Sequence, residues 1–364
     1  IHKQTSSHAT QADGITYNAQ KGNSYAYARR RERHCGLPRW IADERSMRLG
    51  SRTVLLLVVV VLGCADQALA WGPATHIELA GTILDRLALL PAAIGAILAR
   101  NGIAYFYGNI AADIVFAKRW SRVKQFCHHW STAFRLLESA EDERAMAFAY
   151  GYLSHLAADT VAHGKYVPRQ IVVSDCSVNF GHFYWELRAD AMQPESSWAL
   201  LEQIIAGDHG DHHAAMELHI TDTFLSYELN RLLFARMNAL AVRQGFRRTM
   251  HVWSRFSRWE LSPELMAGYR NECLERILSV LTEGDRSPLI REDPNGTSAL
   301  MQLRVRRREV RRMKRVGIPV ERRLLEAAVG LAPQMRIGLA LSTDPAPAVE
   351  ATVGSTPPGV SLGE

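Results

Sequence analysis

The sequence has too few cysteines for a disulfide scaffold. Five occur in 364 residues, and only Cys127, Cys176 and Cys273 follow residue 70. At most one disulfide could join these three, and no CxxC pair is present. A small fold held by disulfides and a thiolate zinc site are therefore excluded.

An excess of charge and a long apolar run are also missing from most of the chain. Residues 1–70 contain ten Lys and Arg against five Asp and Glu, whereas the rest contains 33 against 32. A basic field that would hold nucleic acid is thus not indicated for the main body, and we expect no stable nucleic-acid partner. The apolar run at 54–62 is too short to cross a membrane, which takes about 20 residues.

No sustained alternation of apolar and polar residues follows residue 71, and only the short run 171–173 resembles a strand. Apolar residues instead recur at helical spacing in segments joined by short connectors, which predicts an all-α, multi-helix bundle. We predict one domain at 71–195 and a C-terminal helical region at 196–342. The tail at 343–364 is rich in Pro, Gly, Ser and Thr, and we expect it to be disordered.

Residues 47–70 have the pattern of a secretory signal peptide. A short basic segment begins at Met47, the apolar run follows, and Ala68 and Ala70 provide a small-x-small cleavage site. We expect cleavage after Ala70 and hence a secreted or periplasmic protein that starts at Trp71. Residues 1–46 are then an artefact of gene calling or a disordered extension, and lipid attachment at Cys64 is a weaker alternative.

The stretch 152–164 carries three polar residues among small and apolar ones. His155, Asp159 and His163 are spaced by four, so on an α-helix they share one face. We predict that this helix ends at Gly164 and that a loop over 165–180 follows it. A carboxylate buried between two imidazoles is costly unless it is paired, and a metal ion is the simplest partner.

Further potential ligands lie in apolar surroundings on both sides of this helix. His182 and Glu186 form a second pair at a spacing of four, and Asp113 lies in an apolar segment. Only one of the neighbours His128 and His129 can point inward. Imidazole and carboxylate ligands are typical of zinc, and clustered zinc ions that share a carboxylate are typical of phosphoester hydrolysis.

The order of these residues resembles that of the bacterial zinc-dependent phospholipase C family, whose fold the S1/P1 nucleases share. The resemblance covers about residues 71–192 and rests on nine ordered positions: Trp71, His76, Asp113, His128, His155, Asp159, His163, His182 and Glu186. It implies an all-α fold with three zinc ions. It also implies a secreted phosphodiesterase that hydrolyses the headgroup phosphoesters of phospholipids.

The resemblance further implies how the ligands are shared. One zinc ion would take Asp113, His128, His155 and Asp159, and a second would take His163, His182 and Glu186. A third would take His76, Asp159 as a bridge, and the amine and carbonyl of Trp71 that signal cleavage exposes. Asp113 would also be the general base. The spacing from Asp159 to His163 is shorter than in the best-known members, so we expect His163 to approach its zinc from a different angle.

Two other functions remain open for the same pattern. The first is a nuclease on the same scaffold, against which the closing HxxxE pair and the near-neutral main body count. The second is a non-catalytic, metal-stabilised envelope protein that uses residues 197–342 for interactions. A di-iron bundle is not indicated, because no Glu-x-x-His pair is suitably placed.

Two more segments are unusual in composition. Residues 208–213 are rich in Asp and His, but they lie at a predicted helix break without an apolar frame, and we expect a solvated loop there. Residues 304–315 contain eight basic residues and one acid, Glu309, with apolar residues between them. This segment could contact an anionic membrane surface or form a solvated helix face.

We predict that the exported protein begins at Trp71. N-terminal sequencing of the protein recovered after export, from a gene that starts at Met47, should read Trp-Gly-Pro-Ala. Any other start, including a lipid-modified Cys64, would leave Trp71 without the free amine that the third zinc ion requires.

Overall fold

The described part of the chain consists of helices and contains no strand. In this computed structural model, residues 71–115, 126–220, 223–257, 259–320, 324 and 328–333 are described, so the predicted signal peptide, the extension before it and the predicted tail lie outside them. The all-α fold class is confirmed. The helices are α1 (Pro73–Leu84), α2 (Ala92–Arg100), α3 (Gly102–Ala111), α4 (Trp130–Glu138), α5 (Glu143–Val161), α6 (Val167–Ser174), α7 (Val178–Asp190), α8 (Glu195–Ala206), α9 (Gly210–His219), α10 (Tyr227–Ala241), α11 (Gln244–Arg255), α12 (Pro263–Glu283) and α13 (Thr297–Arg315).

None of the helices in these described ranges is both long and apolar enough to span a bilayer. The buried apolar side chains form one core, to which residues before and after position 196 contribute. The division at 195/196 stays a prediction.

Helix α5 is the element around which its neighbours pack. Asp142 caps its start, because its Oδ1 accepts a hydrogen bond from the N–H of Ala145 at 2.7 Å. Every residue from Gly151 to Val161 is buried, since α3, α4 and α12 all pack against this helix. Polar residues on a helix buried on all sides need partners inside the protein.

Two glycines allow α3 and α5 to approach closely. A Cβ atom at Gly108 would overlap the carbonyl oxygen of Phe148, and one at Gly151 would overlap the carbonyl oxygen of Tyr105. The two backbones are therefore in direct contact. This contact positions the 3₁₀ turn that follows α3 (Ala112–Ile114) against α5.

A buried polar network attaches α12 to the C-terminal half of α5. Arg276 donates to Thr160 Oγ1 at 2.7 Å and to Glu272 Oε1 at 2.9 Å, and it also bonds to Glu292. Because Thr160 follows Asp159, this network holds the end of α5 that carries the buried carboxylate. A buried arginine with several acceptors is compatible with a stable core.

The chain does not break at Gly164. Helix α5 passes into a π-helical turn (Ala162–Tyr166) and then directly into α6, which has Pro168 in its first turn. The predictions of a helix end at Gly164 and of a loop over 165–180 were therefore wrong. Proline is tolerated in a first helical turn, where its missing N–H has no intrahelical partner.

The close contact between α3 and α5 predicts that Gly151→Ala destabilises the fold. We expect a loss of about 1–3 kcal/mol in the free energy of unfolding, since the new methyl group meets backbone that cannot move independently. Urea unfolding followed by circular dichroism measures this loss. Gly245→Ala in α11 is the matched control, because no heavy atom lies within 4 Å of its added Cβ. Equal stability of the two variants would show that the contact is looser than described.

Candidate metal centre

Four separate stretches bring polar side chains to the C-terminal half of α5. His76 lies in the first turn of α1, and Asp113 lies in the 3₁₀ turn after α3. His128 closes a 3₁₀ turn (Phe126–His128), and His182 and Glu186 lie on α7. All five side chains are buried. Helices distant in sequence thus direct imidazoles and carboxylates to the same place.

Asp159 lies at the centre of this group. Its Oδ2 is 3.1 Å from His155 Nε2 and 3.3 Å from His128 Nε2, and its Oδ1 is 3.4 Å from His76 Nε2. Neither carboxylate oxygen makes a hydrogen bond of acceptable geometry within the described residues, and neither do the two ring nitrogens of His76. Three imidazoles therefore surround a fully buried carboxylate without satisfying it. This is the arrangement expected of ligands that share a cation.

The shifted pKa values of Asp159, His76 and His163 favour metal binding. Burial alone would raise the pKa of Asp159, but the surrounding imidazoles, above all His155, hold it well below its usual value. Burial lowers the pKa of His76 and lowers that of His163 further still. An ionised carboxylate and neutral imidazoles are the forms in which these side chains bind zinc.

Asp113 and His128 extend the group around Asp159. Asp113 Oδ1 lies 3.3 Å from His128 Nε2, and the Nε2 atoms of His128 and His155 are 3.2 Å apart. The main-chain oxygen of Asn109 lies 2.8 Å from Nδ1 of His155, which orients this ring so that Nε2 faces the group. Ligands about 2 Å from a tetrahedral zinc ion lie about 3.3 Å from each other, so these spacings suit zinc. Potential ligand atoms lie within 4.8 Å of one another in two triplets: His76, Asp113 and His155, and His128, His155 and Asp159.

A second group adjoins the first through His163. Its Nδ1 lies 3.1 Å from His182 Nε2, which in turn is 2.9 Å from Glu186 Oε1. Its Nε2 lies 3.7 Å from Asp159 Oδ2. The π-helical turn that contains His163 widens the helix by one residue, and such turns recur at functional sites. The His163 ring lies between Asp159 and the residues of α7.

Eight of the nine side chains predicted as ligands are thus joined by contacts of 3.7 Å or less. Trp71 contributes differently, because its indole ring is buried and stacks on Tyr166 with 4.5 Å between ring centroids. The part predicted for its amine and carbonyl stays a prediction, as do the roles of the other eight as zinc ligands.

The neighbours His128 and His129 have opposite environments. His128 is buried beside Asp113 and Asp159, whereas His129 is exposed and precedes the first turn of α4. The structure therefore places His128 in the group, as the sequence analysis preferred.

Asp190 is a site residue that the sequence analysis missed. Its carboxylate accepts hydrogen bonds from the N–H groups of Ala74 at 3.3 Å and Thr75 at 2.9 Å, and from Thr75 Oγ1 at 2.7 Å. It thereby holds the start of α1, two residues before His76. Burial raises the pKa of Asp190 to about 6, although the bonds from Thr75 oppose this rise. Its spacing of four from Glu186 on α7 was the available sequence signal.

The solvated loop expected over 208–213 is not found, because residues 210–213 form the first turn of α9 and two of the histidines are buried. His209 stacks on Tyr107 with 3.6 Å between centroids, and His212 stacks on Phe148 at 4.5 Å. Aromatic rings of α3 and α5 provide the apolar surroundings that the local sequence lacks. This cluster packs against the same helices but does not belong to the two groups described above.

A comparison with known proteins gives a match that spans most of these residues. Residues 75–232 match the family model described as zinc dependent phospholipase C. The matched segment is less than half of the chain, yet it contains all the predicted ligands except Trp71. No curated protein and no solved structure matches the chain.

The contrast between the two neighbouring histidines predicts their effects on metal content. His128→Ala should lower the zinc content of the purified protein, since it removes a buried imidazole between two carboxylates. His129→Ala, which changes the same residue type one position later, should leave the content unchanged. Elemental analysis of both variants after dialysis measures this difference. A larger loss of zinc in His129→Ala would contradict the assignment.

Proposed function

We propose that the protein is a zinc-dependent hydrolase of the phospholipase C family, whose model residues 75–232 match, and that it hydrolyses the headgroup phosphoesters of phospholipids through three zinc ions. The observation that carries this proposal is the buried carboxylate of Asp159, which meets imidazoles of His76, His128 and His155 on its two oxygens. A carboxylate shared in this way is suited to bridge ions.

The three zinc ions would be held as the family resemblance implies. The first would be bound by Asp113, His128, His155 and Asp159, and the second by His163, His182 and Glu186. The third would be bound by His76, Asp159 and the amino terminus at Trp71. Support for this sharing comes from His163, whose two ring nitrogens face Asp159 on one side and His182 on the other.

Zinc, when bound, supplies positive charge to a phosphoryl oxygen and lowers the pKa of a water nucleophile. The side chains of the protein would hold the ions and orient the attacking water. Among the three carboxylates of the two groups, Asp113 is the most exposed, at 6% against 0% for Asp159 and 2% for Glu186. The family resemblance gives Asp113 the orientation of the attacking water and the acceptance of its proton at the carboxylate, and the slightly greater exposure of Asp113 is compatible with that role.

Export is part of this proposal. The signal peptide pattern at 47–70 directs the chain out of the cytoplasm, so the protein acts as a secreted or periplasmic enzyme. The same cleavage that releases the chain creates the amine at Trp71. Activity would then depend on processing as well as on zinc.

The role of Asp113 predicts the effect of Asp113→Asn on turnover. This variant keeps the shape of the side chain but cannot accept a proton, so kcat for headgroup release from phospholipid should fall about 100-fold or more. Asp211→Asn is the matched control, because it removes an exposed carboxylate of α9 that pairs with Arg144 of α5. Its kcat should equal that of the wild type.

The same assay tests the function as a whole. Zinc-loaded, processed protein is incubated with phospholipids of several headgroups and, separately, with single-stranded DNA. Release of phosphorylated headgroups supports the proposal. Hydrolysis of the DNA alone would replace it with a nuclease, and full zinc binding without hydrolysis of either substrate would replace it with a metal-stabilised structural protein.

A further inference from the structure

The basic run at 304–315, which the hydrolytic site does not use, belongs to helix α13, a helix with two unlike faces. Leu303 and Val310 are two turns apart and are buried. Arg307, on the same side, donates to the main-chain oxygen of Asp175 at 3.1 Å. Lys314 forms an ion pair with the Asp175 carboxylate at 2.5 Å. These contacts fix the inward face of the helix against the end of α6.

The opposite face of α13 combines arginines with exposed apolar side chains. Successive spacings of three and four residues keep its members on one side. Met301 is 61% exposed, Val305 54% and Val316 68%. We call this the outer face. It consists of Met301, Val305, Arg308 and Arg312, with Val316 at the cap that follows the helix, and it is flanked by Arg304, Arg311 and Arg315.

The start of α13 lies directly against the candidate metal centre. Asn295 donates to the main-chain oxygen of His128 at 3.1 Å. A Cβ atom at Gly296 would overlap the backbone and Cβ of His163, so the chain passes here at the closest possible distance. Helix α13 begins at the next residue and extends for about 28 Å, at 1.5 Å per residue. The N-terminal end of the helix that carries the outer face therefore lies beside the candidate metal centre.

We propose that the outer face of α13 docks the protein on the surface of an anionic phospholipid bilayer. Arginines supply attraction to acidic headgroups, and the apolar side chains between them enter the boundary between headgroups and acyl chains. Binding to a nucleic acid would use the arginines but would leave the exposed apolar residues without a role. The proposal rests on the proposed function only for the identity of the surface as phospholipid.

Vesicle sedimentation with the processed full chain tests this docking. Wild-type protein should bind vesicles of about three parts phosphatidylcholine to one part phosphatidylglycerol at low salt and should not bind vesicles of phosphatidylcholine alone. Replacement of Arg304, Arg308, Arg312 and Arg315 by Gln should weaken binding on the order of 100-fold. Replacement of the same four by Lys keeps the charge and should retain binding. Zinc content and circular dichroism verify that each variant is folded.

A second quadruple variant provides the matched control. Replacement of Arg236, Arg243, Arg248 and Arg255 by Gln removes four exposed charges from α10, α11 and the connection between them, and it should leave vesicle binding intact. Equal weakening by both Gln variants, or wild-type binding in the α13 variant, would overturn the proposal. So would tight binding to single-stranded DNA without binding to vesicles.

The docking on vesicles and the proposed hydrolysis can be contradicted independently of each other. Wild-type protein that hydrolyses a soluble short-chain phospholipid but does not bind the vesicles overturns the docking and leaves the proposed function intact. Protein that binds the vesicles and hydrolyses no phospholipid supports the docking and overturns the proposed function.

Discussion

The structure depends on one buried carboxylate, that of Asp159, whose negative charge must be compensated inside the protein. An ionised group in the apolar interior costs several kcal/mol or more unless opposite charge compensates it. Imidazoles of His76, His128 and His155 surround it, yet neither of its oxygens makes a hydrogen bond of acceptable geometry among the described residues. Cations bound among these side chains would compensate the charge and give the imidazoles their partners.

The surrounding helices serve to hold this group in place. The glycine contact between α3 and α5 positions the turn that carries Asp113, and Arg276 holds α5 from the side of α12. Asp190 secures the first turn of α1 and with it His76. These are interactions between elements far apart in sequence. A loss at any of them would move a ligand without touching the centre itself, which is how supporting residues typically act on metal sites.

Much of the fold and site could be predicted, because a spacing of four residues on a helix is enough to place side chains on one face. The pairs on α5 and α7 were predicted in this way. Apolar surroundings made Asp113 a candidate, and the resemblance to a family gave Asp113 and His76 their places in the ligand set, which depend on packing between helices. The π-helical turn at His163 could not be predicted, because Gly164 and Pro168 are typical of a helix end and only the packed chain shows that both are accommodated. The burial of His209 depends on Tyr107, about a hundred residues earlier, so local sequence predicted a loop.

The most direct test of this account is the zinc stoichiometry of the processed protein, measured by native mass spectrometry for the wild type and for Asp159→Asn. The substitution keeps the size of the side chain and removes the charge on which the centre depends. The account predicts three zinc ions in the wild type and a loss of two in the variant, since Asp159 would bridge them. An unchanged complement of zinc in Asp159→Asn would contradict it.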